Sequence, residues 1–518
     1  MKNDKLVRLI CSMSKSEKRN FKLLATKTGG KDKIYIQLFD FIEHYEFVDE
    51  DDDRRGKAFL FAKIPTLKPR QLSNQKNILY KLILRSLRDT NKDIYLEIQA
   101  REQFDFAKVL YAKGEYRESL EFLQKAKRMA RSLEKSSLIY LALDFEKQIE
   151  AQHVTGSMSA RAVELAKQSE ELVEDLQLTN QLSNLSLLLY GRYLKNGFAR
   201  SISDFDRLEE FFYSHLPEFE SYNLNFRQRL YLYQSYVWYH YMSQNFAKNY
   251  RYALKWIDLF NEQPSMIEVD TASYLKGLHN VLSSLYLAGK RIHFQEFYDK
   301  LQDVRTNKKI HFNVNETSLL NLFGFVHGIN RIILFVDYKN GLELVDELIV
   351  VLEVGNHGWD RSRLLVFYYK IACIYFGNQM YEEAIIWLNK IINENFGSLK
   401  QDVQCFARIL SLITHYEMGH ELLVSYQIIS VYRFLLKMRQ LGKVQREIFI
   451  FLRKTAKINR SELNPEFGLL KDKLLVIAED VYERRAFLYL DIISWLDSKL
   501  DQISMVEAIE NNMLNNGS

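Results

Sequence analysis

At 518 residues, 47% apolar and 26% charged, the chain is long enough for two or three ordinary domains or for one solenoid, and too apolar to be disordered. Three cysteines, Cys11, Cys373 and Cys405, lie too far apart for a disulfide framework or a zinc site and read as small buried apolar residues. The formal net charge of +5 is uneven: residues 1 to 92 hold about 20 Lys and Arg against about 12 Asp and Glu, roughly +8, which leaves the remainder slightly acidic.

In chain order, MKNDKLVRLICSMSK is an apolar patch too short for a signal peptide and cut by Arg8. Ser14 and Glu17 make a capping box, so a helix starts at Lys15 and ends before Gly29 and Gly30. A second helix is expected from about Asp32 to Tyr45, then an acidic loop over Asp49 to Asp53, a short helix from Arg55 to Ala62, and a periodic helix from Gln71 to Leu87. Alternating strand patterns are nearly absent, and the five prolines fall where the apolar period has lapsed, so the chain reads as all-α. The longest apolar run, Leu364 to Phe376, contains Lys370 and is too short to span a bilayer, which with the missing signal peptide gives a soluble, cytoplasmic expectation.

From about Tyr95, helix breaks recur at Gly114, Gly156, Gly197, Asn245, Gly289, Asn340, Asn378 and Gly419, at intervals of about 38 to 51 residues, the mark of a repeat protein. The clearest unit is Arg363 to Asn393. Tyr368, Ile371 and Tyr375 form one helical stripe with Ala372 beside it; after Gly377 and Asn378, Tyr381, Ala384, Leu388 and Ile391 form another. Small Ala372 against Ala384 suits the close approach of two antiparallel helices.

This hairpin resembles the tetratricopeptide repeat (TPR), except for Ile391 where that family has a small residue. Lys113 to Leu120 with Leu123 and Ala126 is similar, with Ser119 in place of Ala; Tyr250, Ala253, Ile257 and Pro264 give a partial copy, with Phe260 where a small residue is usual. Tyr190-Gly191 and Gly324 with Gly328 supply further close-approach positions. The opening Ser12 to Leu23 also looks like that of a bacterial type of repeat protein. The resemblance implies a right-handed α-solenoid of about eight hairpins. Its layout is an N-terminal helical bundle (1–92), the solenoid (93–441), capping helices (442–500, including Glu466 to Asp480 and Tyr482 to Leu500) and a frayed tail (501–518).

Motifs for chemistry are missing. Thr28-Gly29-Gly30-Lys31-Asp32 lacks the first glycine and the Lys-Ser/Thr ending of a phosphate loop, and His415 and His420 straddle a helix break without a metal-binding partner. No cofactor, metal or catalytic residue is therefore expected. Mapping the ligand-facing positions of the TPR onto the two best hairpins points to Phe104, Lys108 and Tyr111, and to Tyr369, Lys370 and Cys373, with Asn180 and Asn184 extending the surface. Trp359, in the loop Gly355 to Asp360, is a second candidate, read first as a staple that folds back on its helix. The expected function is non-enzymatic: a protein-interaction scaffold holding a peptide or protein on its concave face, with no membrane and no nucleic-acid partner. The alternative is a bacterial signalling or transcription-related regulator, with basic residues Lys15, Lys18, Arg19 and Lys22 on an effector module before a sensor array.

Overall fold

The structure, a computed structural model, describes residues 4–515 other than 30–32, 46–51, 93–94, 153–157, 220–223, 308–309, 311, 356–357, 395, 398–399, 438–441 and 456–462. The described residues form 26 α-helices and one 3-10 turn, Pro69–Gln71, with no strand among them. They gather into two compact units, Met1–Leu176 and Gln177–Ser518, so the boundary expected at residue 92 falls inside the first. The expected break at Gly156 and most of the acidic run from Asp49 lie outside the described residues.

In the first unit the helices Lys5–Ser12, Lys15–Gly29, Ile34–His44, Asp52–Lys63 and Leu72–Asn91 share one core around Phe21, Leu38, Phe39, Leu79 and Ile83. The Ser14 capping box forms as expected: the Ser14 N–H donates to Glu17 Oε2 at 2.8 Å, and the Glu17 N–H to Ser14 Oγ at 3.2 Å. The helix Lys5–Ser12 was not expected, because its apolar pattern is so short; Asp4 caps it, accepting the Leu6 N–H at 2.9 Å. The basic face of the next helix is partly neutralised by its neighbour. Lys22 Nζ lies 2.7 Å from Asp40 and 2.7 Å from Glu43, and Lys18 lies 3.9 Å from Glu43. Burial pushes the Glu43 carboxyl up, but the Lys22 hydrogen bond and charge outweigh it and hold the group below its ordinary range.

Helices Leu96–Ala112, Tyr116–Ser132 and Ser136–Gln152 follow, each packed on the next. Ser119, in the position where the TPR has Ala, is fully buried and donates to the Ala107 carbonyl at 2.7 Å, so a hydroxyl is tolerated because a backbone acceptor faces it. Buried Lys127 and Glu146, joined by Arg161, form an ion cluster between Tyr116–Ser132, Ser136–Gln152 and Met158–Asn196.

In the second unit the pairs Phe226–Met242 with Phe246–Glu262, Thr271–Leu287 with Arg291–Thr306, Val314–Phe335 with Leu342–Val354, Arg361–Gly377 with Tyr381–Asn393, and Gln401–Glu417 with Glu421–Lys437 succeed one another. The first helix of each pair also packs on the first helix of the next across much of the run, which is the contact pattern of a helical repeat protein. The turns share one geometry: a residue with left-handed φ, followed by an N–H that reaches back to the carbonyl five residues earlier. Such residues stand at Gly114, Gln244, Gly289, Val336, Gln379 and Gly419, and the return bonds include Asn245 to His240, Lys290 to Leu285, Met380 to Tyr375 and His420 to His415. Three expected breaks coincide with these positions, and a fourth, Gly197, is also left-handed; Asn245 and Asn378 are off by one residue, and Asn340 by four.

This geometry corrects the register of one repeat. Phe246 follows the turn as Tyr116 and Tyr381 do, so the small-residue position is Asn249 and not Ala253. Asn249 is buried there and donates to the Val237 carbonyl at 2.7 Å, as Ser119 does in its hairpin. Of the expected close-approach glycines, only Gly328 is tight: a Cβ there would lie 2.5 Å from Leu344 Cδ2, whereas one on Gly191 would meet nothing within 4 Å. Helix Val314–Phe335 is long and apolar enough, by length and composition, to cross a membrane, but 61% of that stretch is buried inside the protein.

Ala372 and Ala384 are both fully buried in the best hairpin. Ala372→Leu or Ala384→Leu is expected to lower the unfolding free energy by about 1 to 3 kcal/mol, read by urea titration. After Lys443–Thr455 and Leu463–Ala478, the helix expected from Tyr482 to Leu500 is instead two, Arg484–Tyr489 and Ile492–Leu500. Asp491 divides them by capping the second, where it accepts the Ser494 N–H at 3.1 Å. The tail expected to fray carries helix Met505–Asn515, started by a second capping box between Ser504 and Glu507.

Candidate recognition surface

The expected site residues fall in different places. Phe104 and Tyr111 are spent on the helix Ser136–Gln152: their rings lie 5.9 and 5.3 Å from that of Phe145, and the Tyr111 hydroxyl donates to Gln152. Lys108 is exposed and lies over the Phe104 and Phe145 rings, at 5.0 and 5.7 Å. Asn180 and Asn184 are exposed on Met158–Asn196. Trp359 folds back against Phe325 and Phe367, at 6.1 and 5.2 Å, and is 8% exposed; its neighbours Asn356 and His357 lie outside the described residues.

Tyr369 is buried in the second unit and Lys370 is half-buried there. Lys370 was expected on an open inner face, but its ammonium donates to Asn330 Oδ1 and lies 5.0 Å from the centre of the Tyr286 ring. Asn330 Nδ2 lies 3.4 Å from His327 Nδ1, and His327 Nε2 lies 2.8 Å from His279 Nδ1. These directions agree for neutral imidazoles, with each donor meeting one acceptor. Burial pushes the Lys370 amine down to about 8 and the His279 imidazole down to about 3, and drives His327 well below its usual value. The Cys373 thiol, beside them, is pushed up to about 12 by the same burial and stays protonated, which makes it a poor nucleophile. Cys405 resembles it, whereas Cys11 is exposed and not buried as its stripe suggested.

A different set of groups converges on one surface of the second unit. Tyr193 stacks on Trp238 at 5.2 Å, and Tyr241 meets Tyr193 and Phe198 edge-on at 5.7 and 5.1 Å. Lys400, held in left-handed backbone with φ 44°, hydrogen-bonds the Tyr193 hydroxyl. The chain's own segment Arg484–Tyr489 sits against this floor. The Arg485 guanidinium lies 3.4 Å from the Phe198 ring centre; its Nε donates to the Tyr489 hydroxyl and its Nη2 to the Tyr241 hydroxyl, each at 3.3 Å. Tyr489 in turn donates to Asp402, stacks on Phe406 at 5.2 Å, and accepts the Tyr369 hydroxyl on its carbonyl at 2.9 Å.

Burial alone would raise the Tyr241 phenol, but Arg485 and Lys400 outweigh it and hold the group below its ordinary value. At Tyr489 burial wins, and the hydroxyl stays a donor. A planar cation on aromatic faces and a phenol on a carboxylate are directional contacts that select a sequence. Periodicity pointed to none of Tyr241, Asp402, Arg485 and Tyr489. Their signal was faint: an Arg and a Tyr one helical turn apart, in a segment that composition assigns to a cap. Among the described residues no three His, Cys, Asp or Glu side chains gather as a metal site. Comparison with protein-family models, curated proteins and solved structures finds no match to this chain.

Proposed function

We propose that the chain is a non-enzymatic protein-interaction scaffold, a TPR-like solenoid whose first-helix surface holds a short segment of a partner protein. The observation that carries this reading is the seating of Arg485 and Tyr489, one turn apart, on Phe198 and on side chains from the helices Phe226–Met242, Arg361–Gly377 and Gln401–Glu417. A surface that binds its own Arg-x-x-x-Tyr turn through stacking and a carboxylate has the chemistry to bind another. The preferred partner segment is a helical turn with a guanidinium and an aromatic hydroxyl four residues apart. The regulator reading keeps one supporting observation, the separate core of the N-terminal bundle around Phe21 and Phe39.

The test is a labelled peptide of sequence YERRAFLYL, residues 482–490. The full chain carrying Arg485→Ala and Tyr489→Ala vacates its own contacts and is expected to bind this peptide about tenfold more tightly than the unaltered chain does. Circular dichroism checks that the variant stays helical. No peptide binding by either chain, with helicity retained, would remove this surface from consideration.

A further inference from the structure

Only three of the 20 residues of helix Leu72–Asn91 are buried, Leu79, Ile83 and Ser86, on the side that packs against Lys15–Gly29 and Ile34–His44. The opposite side is open along its length. Asn74, Asn77, Lys81, Leu84, Arg85 and Arg88 are all exposed, and their spacing of three and four residues sets them on one face, over roughly 21 Å at 1.5 Å per residue. Lys68 and Arg70 are exposed at the 3-10 turn that leads into the helix.

Among the described residues Lys68, Arg70, Lys81 and Arg85 have no ion-pair partner. Asp89, the one carboxylate between Lys68 and Lys92, accepts from Arg88 Nε and Nη2 at 3.2 and 3.0 Å. The acids of the neighbouring helices are tied elsewhere: Asp40 and Glu43 to Lys22, Asp4 to Lys76, and Glu17 to the Ser14 N–H. Of the basic residues expected to mark this bundle, Lys18 and Lys22 are spent on those acids, whereas the cations of Leu72–Asn91 keep their charge for a partner. A row of uncompensated cations on an exposed face calls for a polyanion.

Shape and chemistry select the polyanion. A helix that stands proud on a narrow buried stripe, about 10 to 12 Å across with its side chains, fits the major groove of duplex DNA, about 12 Å wide. Asn74 and Asn77 carry the paired donor and acceptor that match an adenine edge, and Leu84 suits a thymine methyl. An anionic membrane surface needs an apolar face, and Leu84 is the single large apolar side chain exposed on this helix. We propose that this face binds duplex DNA, with Leu72–Asn91 in the major groove, Asn74 and Asn77 at base edges, and Lys81, Arg85 and Arg88 on phosphates. Sequence alone led to the expectation of no nucleic-acid partner; the free face of this helix reverses it. The site goes beyond the scaffold reading and does not depend on it.

The experiment uses the full chain and the fluorescence anisotropy of a labelled DNA duplex of about 30 base pairs and mixed sequence. At about 50 mM salt it is expected to bind in the micromolar range or tighter, with affinity falling steeply as salt rises. Lys81→Gln with Arg85→Gln is expected to weaken binding by about tenfold or more and to flatten the slope of log affinity against log salt by about 1.8, two phosphate contacts' worth. Arg128→Gln with Arg131→Gln, the same loss of charge at exposed positions of Tyr116–Ser132, should change affinity by less than about twofold. Circular dichroism checks that both variants, altered only at the surface, stay helical. Duplex RNA, whose deep narrow groove shuts out a helix, and poly-glutamate should each compete about tenfold less well than DNA. From a randomised duplex pool the chain should enrich a preferred site, and Asn74→Ala with Asn77→Ala should weaken that site by about tenfold while leaving the mixed-sequence duplex unchanged. The proposal is overturned by no DNA binding at low salt, by an unchanged salt slope in the folded Lys81 and Arg85 variant, or by an equal loss in the Arg128 and Arg131 variant. Equal competition by duplex RNA overturns the major-groove fit, equal competition by poly-glutamate points to an acidic protein instead, and failure to enrich a site, or an unchanged site in the asparagine variant, removes the base contacts. Binding of peptide 482–490 is a separate readout, so the failure of one proposal is distinguishable from the failure of the other.

Discussion

Trp495→Ala is expected to lower the unfolding free energy by about 3 to 5 kcal/mol. The ring is 2% exposed and meets Tyr416, Phe467 and Phe451 edge-on, at 6.2, 5.7 and 6.5 Å. Its Nε1 donates to Glu417 Oε1 at 2.7 Å, while Lys499 holds the other oxygen of Glu417 at 2.6 Å. Truncation therefore leaves a large void and an underpartnered carboxylate at once. Urea titration followed by circular dichroism measures the loss, and a change below about 1 kcal/mol would mean that the C-terminal helices are not packed as described. Trp495 lies on the helix that directly follows Arg484–Tyr489, so the same substitution should also loosen that segment from the aromatic surface.

Acid should destabilise the second unit well above the pH at which carboxylates protonate. His279 and His327 are held below the ordinary imidazole value of about 6.5, chiefly by burial, with Lys370 adding repulsion. The unfolded chain therefore binds protons that the folded chain refuses. The resulting stability is fully present above about pH 6.5 and is lost as pH falls below it, by about 1.4 kcal/mol per pH unit for each such histidine. Between about pH 6.5 and 5 carboxylates contribute little, so His279→Leu with His327→Leu should flatten the melting temperature over that window. His240, pushed down to about 4 by burial, leaves a residual slope. Lys370 produces a second limb of the same sign at alkaline pH. Its folded value of about 8 lies below the unfolded value of about 10.4, so stability should rise with pH over that interval until exposed phenols begin to ionise near 10. A flat profile on both sides would contradict the enclosure of this network.

Much of the architecture was legible in the sequence because it is local. Turns at Gly114, Gly289 and Gly419 announce themselves, since glycine is the residue that left-handed backbone favours. Gln244, Val336 and Gln379 adopt the same backbone with no compositional sign, and the nearby asparagines drew the expected breaks away from them. The capping box at Ser504 was equally readable, but the polar composition after it suggested fraying. Lys370 is less open than expected for another reason. Helical periodicity reveals which stripe a helix buries against its own hairpin, yet the far side of Arg361–Gly377 is covered by Asn330 and Tyr286 from earlier repeats and by Tyr489 from a segment far along the chain. Contacts of that span leave no period. The candidate surface around Tyr241 and Arg485 is built largely from them.

The order of synthesis gives the segment Arg484–Tyr489 a further significance. Its seat, from Tyr193 through Tyr241 and Tyr369 to Phe406, is complete in sequence once helix Gln401–Glu417 has been made, and the packing of each helix on near neighbours lets that seat fold as it emerges. The plug follows roughly 70 residues later, which at about 5 to 20 residues per second is a delay of some 4 to 14 s. During that interval the nascent chain on the ribosome presents the aromatic floor uncovered. A segment able to bind this floor would meet it open then, and a competitor for it ever after.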